Sequence, residues 1–414
     1  MQFSAIQGRL EDARLLTGQG CYVSDFHVPD QAYAFFLRAD RAHAQIVSID
    51  TSAACDLPGV SCVLTSTEIA QAGLKSLPVA LPAKGIGESE LLKPVRPVLA
   101  QGKVRFVGEP VVLVVADTMA IAQDAAELVS IAYNDLSAVI DATTALSTNA
   151  PQLFDGVPNN QVFDYASGDA QATTAAFANA AHTVKLSVDN TRVVGNPMEP
   201  RACVALYENG RFTLHLPVQS VMGMRAAASD VLGVPQEHIR ILAKNVGGSF
   251  GMKTAFFPEY ICVAHAARAL GRPVKWVDTR SDSFVSDHHG RDHEFTCELA
   301  LDAQGHFLAL RVTGTANIGA YLTGFGPLIP ALNVMKHLVG TYRTPLIEVR
   351  TKSALTHTVP VTAYRGAGRP EGNYYLERLV DTAAREMKID PIELRKRNHI
   401  APEQLPYAAP SGSV

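Results

Sequence analysis

Three glycines, a phenylalanine and a lysine fall within nine positions at 245–253, NVGGSFGMK. Glycine lets backbone approach a ligand or another chain segment closely. The stretch lies between an expected strand (Ile239–Lys244) and an expected helix (256–270). Three chemistries suit it: a phosphate cradle, a tight structural turn, or a wall against a large cofactor. It is not a Walker loop, since no Gly-Lys-Ser/Thr follows at the required spacing, and it lacks the GxGxxG of a dinucleotide fold.

Two further stretches carry candidate chemistry. In TAYRGAGRPEG (362–372), Arg365 and Arg369 precede a strong helix. Cations are favoured at the opposite end of a helix, so either an anionic or polar ligand lies there or the arginines pair with surface carboxylates. In NPMEPRACVALYENG and LHLPVQS, Glu199 sits between prolines and Gln219 ends a strand. Glu199 is either a rigidly held carboxylate or the partner of Arg201. Gln219 either aims its amide at a ligand or caps the next helix. His288, His289 and His293 read as a surface turn with solvated imidazoles rather than a metal site.

The elements that must position these residues are legible in part. Expected strands are Ala202–Leu206, Phe212–Leu216, Ile239–Lys244, Phe295–Leu301 and Leu308–Thr313, with helices over 220–232, 256–270 and 371–387. In the last, Leu376, Leu379, Val380, Ala383, Ala384 and Met387 form one stripe, and Asp381 and Arg385 are spaced to pair on the other face. Asp390, Pro391 and Glu393 predict the start of another helix. AFFLRADRAHAQIVSID alternates as a strand would, Val111–Ala116 suits a buried strand, and TMAIAQDAAELVSI an amphipathic helix. Residues 134–165 are turn-rich and read as a linker or surface loop.

The chain has 414 residues, 47% hydrophobic and 18% charged, with a net charge of -4. That length predicts two or more domains, and the charge gives no reason to expect nucleic acid or an anionic membrane. The uncharged stretch Val312 to Met335 holds too many glycines, prolines and polar residues for a spanning helix. No secretory signal is visible. The six cysteines form no CxxC and match no zinc or iron–sulfur spacing, which suits reduced thiols in a cytoplasm.

Taken in order, the segments GRLEDARLLTGQGCYVSDF, VGEPVVLVVADTMAIAQDAAELVSIAYNDL, MEPRACVAL, VQS, VGGSFGMK, NIGAY and AYRGAGRPEGNYYLERLVDTAAREMKIDPIELRKRN resemble the molybdenum-binding large subunit of the xanthine dehydrogenase/aldehyde oxidase/carbon monoxide dehydrogenase family. The resemblance spans essentially the whole chain. It implies an α+β fold: an arm (1–16), an α/β hammerhead-like domain (17–134), a linker (135–165), the first molybdopterin-binding domain (166–400) and a tail (401–414), the second molybdopterin domain being absent.

By the same resemblance, Gly248, Phe250 and Gly251 lie against molybdopterin, Gln219 approaches an oxygen on the metal, and Arg365 belongs to its surroundings. Phe250, Thr254 and Asn333 would stand toward the substrate. The cofactor, in its cytosine dinucleotide form, holds the metal, so no protein ligand cluster is expected. The implied chemistry is oxidative hydroxylation with water as the oxygen source. Electrons would leave through a 2Fe-2S subunit to an FAD subunit. Three departures bear on the substrate. Ser249 and Met252 stand where the family often has glycine. Purine-oxidising members carry a glutamate at the position of Thr254 and an arginine near Asn333. Gly366 replaces the copper-holding cysteine of carbon monoxide enzymes. An aldehyde or an N-heterocycle remains. The glutamate that serves as base belongs to the second domain, so no residue here is expected in that role. A split subunit, a truncated product and a fragment all stay open, as does a non-catalytic assembly module.

Overall fold

The apolar run at 110–116 has every residue buried, which places strand Pro110–Ala116 inside a sheet. That sheet has seven strands, in the order Ile239–Leu242, Arg211–His215, Ala202–Glu208, Val274–Val277, Ala32–Arg38, Pro110–Ala116 and Val60–Leu64. The structure, a computed structural model, describes residues 8–79, 81 and 83–414; positions 1–7 of the expected arm lie outside the described residues. The regions read as two successive domains share this one sheet. Strand Ala32–Arg38 runs parallel to Val274–Val277, with Ala32 opposite Val274 and Tyr33 opposite Lys275.

A second sheet of five strands runs Gln161–Ser167, Ile347–Leu355, Phe307–Gly319, His293–Leu301 and His182–Asn190. Helix Arg369–Met387 covers one face with the stripe expected from its spacing, including Leu376, Leu379, Val380 and Ala383, and with Tyr375, which the stripe did not include. Each fully buried leucine or valine there contributes about 1.5–3 kcal/mol of transfer free energy. The expected Asp381–Arg385 pair does not form. Asp381 instead meets Arg395, at 2.8 Å, on the following helix Pro391–Asn398. Asp390 caps that helix through the N–H groups of Ile392 and Glu393.

Two expectations fail here. The stretch 34–50 falls in two strands, Ala32–Arg38 and Ala44–Asp50, in different sheets. Its alternation continues across a break that no glycine or proline marks. The stretch read as a linker over 135–165 is not a surface loop throughout. Val139, Ala142, Ala145, Leu153, Val157, Val162 and Phe163 are buried in a shared apolar cluster with Tyr321 and Leu355 of the five-stranded sheet region. Its prolines and asparagines shape turns, while its sparse apolar residues still find a core. No helix of the described residues is long and apolar enough to cross a membrane.

Candidate cofactor wall and substrate cavity

The Gly-rich stretch runs from the edge strand Ile239–Leu242 to helix Pro258–Leu270. Gly248, Phe250 and Gly251 all have positive φ, at 98°, 54° and 105°. Such a φ is strained for phenylalanine, and it leaves the Phe250 ring 42% exposed. The backbone N–H groups of Gly248, Ser249, Phe250 and Gly251 find no acceptor among the described residues. A row of free donors beside an exposed ring suits a ligand rich in acceptor atoms.

The glycines do not all serve that outer face. A Cβ on Gly247 would stand 2.5 Å from Glu199 Cβ, and one on Gly251 would stand 2.4 Å from the Ala363 carbonyl. Both are demanded by close packing within the protein. At Gly248 the nearest atoms, on Pro197 and Phe250, would be 3.2 and 3.3 Å away. Gly251 therefore fastens the loop to the backbone just ahead of Arg365.

Glu199 holds the loop from behind. It does not pair with Arg201. Its carboxylate accepts from Gly247 N at 2.7 Å and Val23 N at 3.2 Å, and meets Lys253 Nζ at 3.2 Å. Burial pulls the Lys253 ammonium down from its ordinary value and Glu199 opposes it. Arg201 is fully buried in a separate network with Glu259 (2.9 Å), Asp278 (2.9 Å) and Asp287 (2.5 Å), which Arg38 also joins. Burial pushes the Asp278 carboxyl up to about 6, whereas at Glu259 the two arginines outweigh burial and bring it down to about 2.

Gln219 is exposed beside this loop, and its Oε1 accepts from the Ser249 hydroxyl. Its amide nitrogen has no acceptor among the described residues, and Ser220, not Gln219, caps helix Val221–Leu232. Arg365 is exposed and meets no carboxylate within the described residues; its carbonyl accepts from Arg291 at 2.9 Å. Asn333 stands behind the loop, donating from Nδ2 to the Ala367 carbonyl at 2.9 Å, and does not line the cavity described next. Glu371 is spent on Arg291 (2.6 Å) and Gly368 N (2.8 Å).

Immediately beside Gln219 a cavity of about 740 Å³ opens. Its walls are mostly apolar, with Leu77, Met224, Phe256, Leu322 and Phe325 prominent, and Thr254 and Ser220 join it to the Gly-rich loop. Thr254 Oγ1 donates to the Gly251 carbonyl at 2.5 Å. Sequence reasoning missed two of its polar residues, Arg96 and His288. His288 and His293 are both 2% exposed, so they are not solvated. Burial and the neighbouring Arg96 keep His288 well below its ordinary value. The run Asp-His-His-Gly-Arg-Asp looks like a surface turn, but Gly290 and His289 bridge to Val193 and Val361, which draws it inside.

Residues 17–137 match the aldehyde oxidase and xanthine dehydrogenase a/b hammerhead domain, and residues 153–399 match the molybdopterin cofactor-binding domain. The chain belongs to this molybdopterin-binding large-subunit family. Within the family it is 37% identical over 405 residues to the 6-hydroxypseudooxynicotine dehydrogenase complex subunit gamma of Paenarthrobacter nicotinovorans, covering 96% of this chain and 50% of that one. Quinoline 2-oxidoreductase of Pseudomonas putida 86 has the same fold, with a TM-score of 0.91 at 33% identity over 98% of this chain and 51% of that chain. The chain thus spans about half the length of these relatives. The nicotinate dehydrogenase large molybdopterin subunit of Eubacterium barkeri is 26% identical, and there the match covers 87% of the relative.

The residues present fit the family's cofactor. The loop offers backbone N–H groups without an acceptor among the described residues, the Gln219 amide reached through Ser249, and an exposed Phe250, and the segment packed on Gly251 leads to the exposed Arg365. Among the described residues no group of three or more His, Cys, Asp or Glu is placed to hold a metal ion.

Proposed function

We propose that this chain contributes the first molybdopterin-binding region of a molybdenum hydroxylase, which oxidises an aldehyde or an N-heterocycle with water as the oxygen source. The observation that supports the proposal is the surface at Gly248–Gly251, whose backbone donors find no acceptor among the described residues, with Gln219 joined to it through Ser249, the segment before Arg365 packed on Gly251, and the Phe250 side chain exposed. When bound, the cofactor supplies two-electron redox chemistry and activates water. Gly248, Phe250 and Gly251 would press on the pterin, Gln219 would donate toward an oxygen near the metal, and Arg365 would neutralise charge. Phe250 and Thr254 would face the substrate, with Asn333 holding the Arg365 loop from behind. We assign the base to no residue here, because the carboxylates of Glu199 and Glu371 are already engaged.

The same reading extends to partners. We infer the cytosine dinucleotide form of molybdopterin, a 2Fe-2S subunit and an FAD subunit, and a second molybdopterin domain supplied with this chain or by another. The relative from Eubacterium barkeri, most of whose length this chain covers, supports a division of that kind. The six free cysteines suit a reducing compartment such as the cytoplasm. The test is purification of the chain with its co-purifying partners from a host that makes the cofactor, followed by metal and pterin analysis. Stoichiometric molybdenum is expected; a complex without molybdenum or pterin refutes the reading.

A further inference from the structure

Arg96 lines the cavity yet is only 6% exposed. Its Nη1 donates to His288 Nε2 at 3.0 Å, and its guanidinium lies over the Tyr321 ring at 5.4 Å. Arginine can only donate, so His288 accepts and carries its own proton on Nδ1. No acceptor among the described residues reaches Arg96 Nε or Nη2, and no carboxylate forms an ion pair with it. The residues outside the described ones carry no acidic side chain. Glu109 and Glu259 act on Arg96 only at longer range, and each is committed elsewhere: Glu109 to Tyr321 and Arg105 N, Glu259 to Arg38 and Arg201.

A buried cation without a counter-ion is costly. The buried cation of the neighbouring network shows the contrast, since Arg201 is met by three carboxylates. Arg96 faces instead a cavity whose remaining wall is largely apolar and aromatic, with Met224, Phe256 and Phe325; its one carboxylate, Asp230, pairs with Lys75 at 3.7 Å and forms no ion pair with Arg96. A planar fork with two donors that no acceptor among the described residues meets matches the two oxygens of a carboxylate.

We propose that Arg96, oriented by His288, is a specificity subsite for a carboxylate carried on an aromatic ligand, the ring filling the apolar part of the cavity. This rests on the proposed function, in which Thr254, a residue of the cavity wall, faces the substrate. It would make the preferred substrate an aromatic acid, with the carboxylate held at Arg96 and the carbon to be oxidised turned toward Thr254 and the Gly-rich loop.

The test uses the full chain with its co-purifying partners and two isosteric probes, 2-naphthoate and 2-naphthamide, whose binding is measured by calorimetry. The naphthoate is expected to bind at least roughly tenfold tighter, the scale of a hydrogen-bonded charge pair. Arg96→Gln brings the ratio to about one while naphthamide still binds, which shows that the cavity remains folded. Arg96→Lys, which keeps the charge and loses the fork, falls between. Equal affinities in the unaltered protein, no naphthoate binding, or an unchanged ratio in Arg96→Gln would each overturn the subsite. Molybdenum content measured on the same samples separates the two claims. A metal-free complex that still prefers naphthoate sinks the hydroxylase reading alone, and a molybdenum-loaded complex without the preference sinks the subsite alone.

Discussion

The wall at Gly248–Gly251 and the cavity beyond Thr254 touch each other but are built on different principles. The wall is backbone: its shape comes from positive φ angles and from glycines that admit Glu199 and the Ala363 carbonyl. The cavity is side chains, gathered from near Leu77, Arg96, Met224, Phe256, His288 and Leu322. A backbone site has few ways to change without moving the whole loop. A side-chain site can change one wall at a time. Under the function proposed above, that division would separate the holding of the cofactor from the choice of substrate.

The largest expected effect tests the support of the wall. Glu199→Ala removes the acceptor of Gly247 and Val23 and leaves the Lys253 ammonium buried without its partner. Stranding a buried charge costs about 3–5 kcal/mol. Chemical denaturation should show that loss, and pterin content should fall with it. If pterin content persists, the loop does not depend on its rear support and the contrast between wall and cavity weakens.

A smaller effect separates glycines that face inward from the one that faces outward. Gly251→Ala and Gly248→Ala share the strain of positive φ, but only the first drives a Cβ into backbone, at 2.4 Å from the Ala363 carbonyl. Overpacking of that kind costs about 1–3 kcal/mol beyond the shared strain. Gly251→Ala should therefore be the less stable of the two in the same denaturation experiment. Gly248→Ala should lose pterin content out of proportion to its stability. Equal stabilities would mean that Ala363 yields, and that Gly251 is not the fastener described here.

The same contrast explains what was legible in the sequence. Three glycines with a phenylalanine announce a special backbone, and the structure brings Gln219 to that loop through Ser249 and the Ala363–Tyr364 backbone against Gly251. Helix Arg369–Met387 was legible from its stripe and helix Pro391–Asn398 from its cap. Arg96 gave no signal, because the role proposed for it rests on its meeting no carboxylate among the described residues, and that is a property of three dimensions. His288 was misread since a polar, Gly-containing run looks solvated until the bridges to Val193 and Val361 enclose it. The stretch 135–165 was misread for a related reason: its few apolar residues, such as Leu153 and Phe163, lack periodicity and are buried by what lies above them. The shared seven-stranded sheet was also invisible, since pairing between Ala32–Arg38 and Val274–Val277 joins residues far apart in the chain.

The smallest expected effect lies at the junction. Thr254 belongs to both regions: its hydroxyl donates to the Gly251 carbonyl at 2.5 Å, and its side chain lines the cavity. Thr254→Val keeps the shape and removes the hydroxyl. The Gly251 carbonyl still accepts from Thr254 N at 3.1 Å, so it is not stranded, and the loss is that of one hydrogen bond, about 1 kcal/mol. If wall and cavity are separable, stability drops by that amount, pterin content holds, and the cavity's affinity shifts toward less polar ligands. If pterin content falls instead, the hydroxyl is setting the Gly251 backbone. The boundary between the two regions would then run through the cavity side of Thr254, and substrate preference and cofactor retention could not be altered independently at this position.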